Sequence, residues 1–205
     1  MGNKIEKSSA KRMLRDMNDV LNEEIRNTRA AKAAIEEFAG DESLRGKGLV
    51  SAKRYFSEVY GEIYFQINEV CALIKARNKR VISAIDGNIT ADRDKINEDE
   101  IQEQIERLEE QKSAYQKSIA SLKNNMTPQA KGTVNTMTGS IDSMDDMIKK
   151  LEDIIKGLYD FNGETSGYYD AELSAISRVA ACIDKLDKSS RFNEKDCTFT
   201  VPKIG

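Results

Sequence analysis

The chain has 205 residues and a formal net charge of −3, so no excess of basic residues marks it for nucleic acid or an acidic membrane surface. Charged residues make up 33% and hydrophobic residues 39%, there is no Trp or His, and only two prolines interrupt the chain. This composition is typical of long helices and coiled coils rather than of a β-sheet protein. It predicts an all-α, elongated assembly of long helical hairpins with coiled-coil-type packing and about five helices.

Two predicted helices flank a glycine-containing break at residues 44–48. The first runs over about residues 8–39, has Ser8 or Ser9 as its predicted cap, and repeats apolar residues at steps of three and four. The second runs over about residues 49–85 and has a wider apolar face. Because glycine permits backbone conformations that other residues avoid, the break predicts a hairpin whose glycines provide geometry rather than ligand contacts.

A second hairpin is predicted from the helices at about residues 97–125 and 128–158. Asn97 is the predicted cap of the first of these, and acidic residues follow it, as the helix dipole favours. Both helices carry an apolar heptad seam, which predicts an antiparallel coiled coil. Lys112 is the one polar residue within the seam, and such a residue often fixes the register of the two helices.

A fifth helix is predicted at about residues 168–188, after a turn at residues 162–167. Its predicted apolar face consists of Tyr169, Leu173, Ile176, Ala180, Ile183 and Leu186. The segment 197–202 that follows has β propensity but no evident partner strand in the chain. It is interpreted either as a leader into a further domain or as a tail that docks on the helices.

The turn-rich stretch at residues 86–92 is the predicted boundary between two halves. Residues 1–86 are expected to form a partner-binding hairpin, residues 87–190 a helical stalk, and residues 191–205 a tail toward an absent C-terminal domain. The first two helices have more apolar surface than one hairpin can hide, so both are expected to contact partners. The expected contact residues are Leu14, Met17, Leu21, Leu44, Gly46, Phe56, Val59, Tyr60, Ile63, Ile67 and Val70.

The sequence predicts no catalytic residue, metal site or cofactor. Without histidine the chain lacks the commonest general base and metal ligand, and its paired carboxylates fall on faces that the heptads assign to solvent. Cys71, Cys182 and Cys197 are widely spaced, and the first two are predicted to be buried thiols. No apolar run is long enough for a secretory leader or a membrane span, which predicts synthesis in the cytoplasm; if the chain leaves the cell, it does so without a cleavable signal peptide.

Two polar features stand near predicted apolar stripes. Arg77 lies on the stripe of the second helix and is expected to pair with an acid on another helix or to extend to the edge of the interface. Tyr168 and Glu172 form a Tyr-x-x-x-Glu step, which occurs in helical export substrates and also arises by chance.

The bend motif resembles that of a known family. Leu44-Arg45-Gly46, followed by Gly48, Ser51-Ala52 and Tyr55-Phe56, resembles the N-terminal LXG domain of polymorphic toxins from Gram-positive bacteria. Residues 81–86 and 95–99 resemble the family's link between its two helical parts, and the heptad helices resemble its stalk, so the resemblance covers nearly the whole chain.

The resemblance implies a non-enzymatic targeting module that is exported by the type VIIb secretion system and therefore secreted. It further implies binding to small helical-hairpin, WXG100-like partner proteins encoded nearby, with toxic activity in a separate C-terminal domain. Two alternatives stay open. A structural coiled-coil protein would self-associate, and an α-helical pore-forming toxin would need a long apolar hairpin, which the sequence lacks, so no stable membrane insertion is expected.

Overall fold

The protein is described by a computed structural model at residues 2–89, 92–124, 127–188 and 192–201. The helices are α1 (Lys7–Gly40), α2 (Lys47–Tyr55), α3 (Gly61–Asn88), α4 (Glu98–Lys123), α5 (Pro128–Thr165) and α6 (Asp170–Lys188). A π-helical turn at Phe56–Tyr60 joins α2 to α3 without leaving the right-handed helical region. The short strands are β1 (Lys4–Glu6), β2 (Lys95–Asn97), β3 (Phe192–Asn193) and β4 (Thr198–Phe199). The predicted all-α fold class is confirmed.

The chain forms two compact units, each built from two separate stretches. The first unit contains Met1–Lys11 and Ile82–Ser166, and the second contains Arg12–Val81 and Gly167–Gly205. The divisions fall inside α1 and α3. The organisation predicted from the sequence instead consists of consecutive segments of the chain. The assignment of partner binding to residues 1–86 stays a prediction.

In the first unit, a two-stranded ladder holds the start of α1. β1 and β2 pair antiparallel, with Ile5 opposite Ile96. The Ser8 amide donates to Asp94 Oδ1 at 2.8 Å and the Ser8 hydroxyl to Asp94 Oδ2 at 2.5 Å. These hydrogen bonds, chiefly that of the hydroxyl, lower the pKa of Asp94. Because Asp94 provides the cap from a distant part of the chain, the prediction that Ser8 or Ser9 caps α1 is wrong.

The caps of α4 and α5 lie next to their helices in sequence. The side chain of Asn97 accepts a hydrogen bond from the Asp99 amide at 3.2 Å, which confirms the predicted cap of α4. The Thr127 hydroxyl accepts from the Ala130 amide at 3.1 Å, and Pro128 occupies the first turn of α5. Proline suits this position because the first helical amides have no partner within the helix.

Helices α4 and α5 pack as an antiparallel hairpin, as the heptads predict. Lys112 forms an ion pair with Asp145, and the Tyr159 hydroxyl donates to Glu98, so residues later in α4 meet residues earlier in α5. Lys112 is therefore paired across the seam rather than left unpaired among apolar residues. The core of this unit consists of Ile89, Ile96, Ile101, Ile105, Ile148, Leu151 and Leu158. Met126, which ends the predicted seam of α4, lies outside the described residues.

Helix α5 continues beyond the predicted end at residue 158, and the turn predicted at residues 162–167 is wrong for its first part. The helix reaches Thr165 because Phe161 packs against the core of the unit. Gly163 lies within the helix, where a Cβ would meet nothing. The turn begins at Ser166, and Gly167 adopts a φ of +69° within it.

The C-terminal segment of the second unit is a small hairpin docked on helix α2. Phe192 of β3 pairs with Phe199 of β4, so the prediction that the segment has no partner strand is wrong. The ring of Phe199 lies 5.4 Å from that of Tyr55 and 6.5 Å from that of Phe56, measured between centroids. Of the two interpretations that the sequence leaves open, docking of this segment on the helices is the one seen in the structure.

Candidate partner-binding surface

The second unit is organised around an antiparallel pair, α1 and α3. The Thr28 hydroxyl donates to Asn68 Oδ1 at 2.8 Å, and Asn78 Nδ2 donates to Asn18 Oδ1 at 2.9 Å. The second contact lies ten residues earlier in α1 and ten residues later in α3 than the first, so the two helices run antiparallel. The predicted hairpin around the glycine break is present.

The bend of this hairpin is fixed by local hydrogen bonds and one glycine. Asp41 Oδ1 accepts from the Ser43 amide at 2.8 Å and from its hydroxyl at 2.6 Å, and the hydroxyl bond is the main cause of the lowered pKa of Asp41. Gly46 has a φ of +113°, a conformation that strains residues with a side chain. The rings of Phe38 and Phe56 then meet edge-on at 5.8 Å across the hairpin.

Gly48 serves a different purpose, because the docked C-terminal hairpin passes directly against it. A Cβ at this position would lie 2.8 Å from the carbonyl oxygen of Cys197. Close by, the Phe199 amide donates to the Ser51 hydroxyl at 3.0 Å. Gly46 therefore has the backbone role that the sequence predicts, whereas Gly48 leaves room for the C-terminal hairpin, which the sequence does not predict.

Helix α6 is fixed to α3 through a buried ion pair. Arg77 Nη2 lies 3.1 Å from Glu172 Oε1, and the guanidinium carbon lies 5.0 Å from the centre of the Tyr168 ring. Glu172 is only 4% exposed, and its Oε2 has no hydrogen-bond partner among the described residues. The Tyr-x-x-x-Glu step and Arg77 thus contact each other within the chain.

A buried asparagine links the three helices of the unit at one level. Asn78 is fully buried in α3 and donates to Asn18 of α1. Its Oδ1 accepts from the hydroxyl of Tyr169, just before α6, at 2.5 Å. Burial raises the pKa of Tyr169, which keeps the hydroxyl a donor. Because buried polar groups need partners, this network specifies how the helices align.

The predicted contact residues divide by exposure. Within the chain's own core lie Leu14, Val59, Ile63 and Val70. Partly buried are Leu21, Leu44, Phe56, Tyr60 and Ile67. Only Met17 and Gly46 are exposed. The buried residues hold the unit together, and whether the set contacts a partner stays a prediction.

Most of the exposed large hydrophobic side chains lie in the second unit. They are Met13, Met17, Val20, Leu49, Val50, Phe65, Leu73, Leu173, Ile176, Ile183 and Phe192. In the described part of the first unit only Met147 and Tyr159 belong to this class. On α1 the exposed residues recur at steps of four and three, so they form a stripe beside the buried one. This spacing of apolar residues is the sequence pattern from which the exposed stripe of α1 could have been identified.

The predicted apolar face of α6 is mostly turned outward. Leu173 is 58% exposed, and Ile176, Ala180 and Ile183 are exposed as well. The buried residues of α6, among those described, are Glu172 and Leu186. The Glu172 ion pair holds one end of α6, and the packing of Leu186 in the aromatic cluster holds the other. The apolar face that the sequence identifies is therefore mostly exposed, apart from Leu186 and the partly buried Tyr169.

A groove of about 320 Å³ lies between α3 and α6. Exposed Phe65 and Leu73 of α3 line it together with buried Val70, and Val179 and Cys182 of α6 line its other wall. Cys182 is partly buried rather than fully buried as predicted, whereas Cys71 is buried as predicted. The side chain of Leu73, which belongs to the wider apolar face predicted for this helix, lies in this open groove.

Two classes of site are missing from the described ranges. No group of three or more His, Cys, Asp or Glu side chains there is arranged to hold a metal ion. None of the helices in those ranges is long and apolar enough to cross a membrane. What the second unit does offer is exposed apolar surface on four helices, α1, α2, α3 and α6.

A hairpin bent at a glycine, with unpaired apolar stripes on its helices, defines a helical module suited to contacts with other proteins. The family model described as the LXG domain of the WXG superfamily matches residues 4–198. The chain belongs to this family, which is one of toxin-associated, secretion-targeting domains and not a catalytic family. No curated protein matches the chain significantly.

Proposed function

We propose that this domain binds small helical-hairpin, WXG100-like proteins through its second unit and thereby directs a toxin to export by the type VIIb secretion system. On this proposal the protein is non-enzymatic, is made in the cytoplasm of a Gram-positive bacterium, and is secreted without a cleavable signal peptide. Membership of the LXG family supports the targeting role.

The observation that carries the choice of surface is the uneven distribution of exposed apolar side chains. In the first unit α4 and α5 bury apolar residues against each other, and the described part of that unit exposes only Met147 and Tyr159 among its large hydrophobic residues. The second unit leaves stripes open on α1 and α6. An amphipathic helix of a partner would bury such stripes, which is how helices commonly recognise one another.

The proposed contact surface modifies the set predicted from the sequence. Met17 remains in it, and Met13 and Val20 extend it along α1, while Leu173 and Ile183 add α6. The buried residues of the predicted set would support the surface from below, and Leu44 and Gly46 would maintain the bend. The surface is therefore assigned to side chains that a partner can reach without opening the unit.

Co-expression with the small helical proteins encoded beside the gene tests this proposal. The tagged chain should co-purify with at least one of them in a defined ratio. Each exposed Leu or Ile contributes on the order of 1.5 kcal/mol when a partner buries it. Leu173→Ser combined with Ile183→Ser should therefore weaken binding roughly a hundredfold.

Met147→Ser is the matched control, because Met147 is an exposed hydrophobic residue of the first unit. It should leave binding unchanged. If none of the neighbouring proteins binds, or if the Met147 variant weakens binding as much as the α6 pair does, the proposal fails. Open-ended self-association of the chain alone, abolished by the α6 pair, would instead support a structural coiled-coil protein.

A further inference from the structure

A second groove, of about 450 Å³, lies between α4 and α5 in the first unit. Its floor consists of Leu108, Leu151 and Met147. Leu151 is buried, while Met147 is 45% exposed. The volume falls within the range of sites that bind small molecules, and a mostly apolar floor with a few polar groups is typical of them.

The rim of this groove is positively charged, although the chain as a whole carries a net negative charge. Arg93, Arg107 and Lys150 line the groove, and no carboxylate does. Arg107 has an exposed ion pair with Glu103, at 3.3 Å. Among the described residues no carboxylate lies within 4.0 Å of the charged atoms of Arg93 or Lys150. An anionic group placed here would meet two cations that have no ion-pair partner in the described part of the chain.

The length of the groove limits what can occupy it. From Gln104 to Gln111 it follows about two turns of α4, or about 10 Å. A helix of a partner would bury only two turns in it, whereas one short alkyl chain would lie along its whole length. Arg93 lies at the end formed by Gln104 and Ile154, since these three residues also line the adjoining small cavity. Met147 and Gln111 form the other end.

We propose that this groove binds a medium-chain fatty carboxylate. The carboxylate lies at the Arg93 end, within reach of Lys150 and Arg107, and the alkyl chain runs over Leu108 and Leu151 toward Met147. Burial of the alkyl chain provides most of the affinity, and the cations select an anionic head over a neutral or cationic one. The site lies in the first unit and does not depend on the proposed binding of helical partners.

Titration of the full chain with decanoate, below its micellar concentration, tests the site. The methyl NMR signal of Met147, assigned through Met147→Leu, should shift in a saturable manner. Decyltrimethylammonium, which has the same chain length and the opposite charge, should not shift it. The combination of Arg93→Gln and Lys150→Gln should weaken decanoate binding about tenfold, because each exposed ion pair contributes a modest amount.

Lys149→Gln is the matched control, since Lys149 is exposed on the same helix and does not line the groove. It should change the affinity by less than about twofold. Equal shifts with the cationic amphiphile, shifts that do not saturate, or undiminished binding by the Arg93 and Lys150 double variant would each overturn the proposal. All the substituted cations are exposed, so the variants should fold as the natural chain does.

Discussion

Gly157 provides a sharp test of the packing in the first unit. It lies buried in α5, where a Cβ would be 2.2 Å from the carbonyl oxygen of Asn88, the last residue of α3. No rotamer change relieves a contact with backbone, so Gly157→Ala must push the two helices apart. Overpacking typically lowers the free energy of unfolding by 1–3 kcal/mol, and a clash this close should cost about 3 kcal/mol.

The gain in helix propensity from glycine to alanine, about 1 kcal/mol, offsets part of this cost. Gly157→Ala should therefore lower the free energy of unfolding by about 2 kcal/mol, which corresponds to a Tm lower by roughly 4–8 °C for a chain of this size. Gly139→Ala is the matched control on the same helix, because a Cβ there would meet nothing within 4 Å. It should raise the Tm by roughly 2–4 °C.

Thermal unfolding followed by circular dichroism at the helix band measures both variants. The comparison is informative because both substitutions make the same chemical change in the same helix. If Gly157→Ala unfolds at or above the temperature of Gly139→Ala, then α5 does not approach the end of α3 as described, and the account of the first unit is wrong.

Three further predictions concern the docked tail, the cap of α1 and the coiled-coil seam. Phe199→Ala removes a partly buried ring and should cost about 2 kcal/mol, seen as faster amide exchange at residues 192–201 with α4 and α5 unaffected. Because Ser8 lowers the pKa of Asp94, the Asp94 carboxylate stabilises the fold above its unfolded pKa of about 4, and this stability is lost as the pH falls through the lower folded value. Ser8→Ala should therefore reduce the loss of Tm below about pH 4, and an unchanged acid profile would contradict that cap. A double-mutant cycle on Lys112 and Asp145 should give a coupling free energy of at most about 1 kcal/mol, because the pair is partly exposed. A coupling near zero would mean that this ion pair does not help to fix the register of α4 against α5.

The sequence predicts best the features that depend on neighbours along the chain. The heptads of α4 and α5 specify their pairing because each helix supplies its own stripe at every turn. The cap at Asn97 is equally local, since it precedes three acidic residues. The cap of α1 is not, because Asp94 lies 86 residues from Ser8 and reaches it only through the pairing of β1 with β2.

Which residues of α6 are buried could not be predicted from its own periodicity. Its strongest apolar stripe includes Leu173 and Ile176, and a periodicity argument buries the strongest stripe. The structure buries Glu172 instead, because Arg77 lies on the apolar stripe of α3 and needs an acid beside it. The same limit applies to the candidate surface. The sequence shows that α1 is amphipathic, but it does not show which of the two adjacent apolar stripes on α1 is buried within the unit. That choice depends on contacts between distant segments, such as Thr28 with Asn68.

The most direct test of the proposed function is the hydrogen exchange of the chain with and without its co-purified helical partner. Binding through the second unit should protect amides of α1, α3 and α6 around Met17, Phe65 and Ile176, and leave those of α4 and most of α5 unchanged. Protection confined to α4 and α5, with the second unit exchanging as in the free chain, would contradict the assignment of the partner surface.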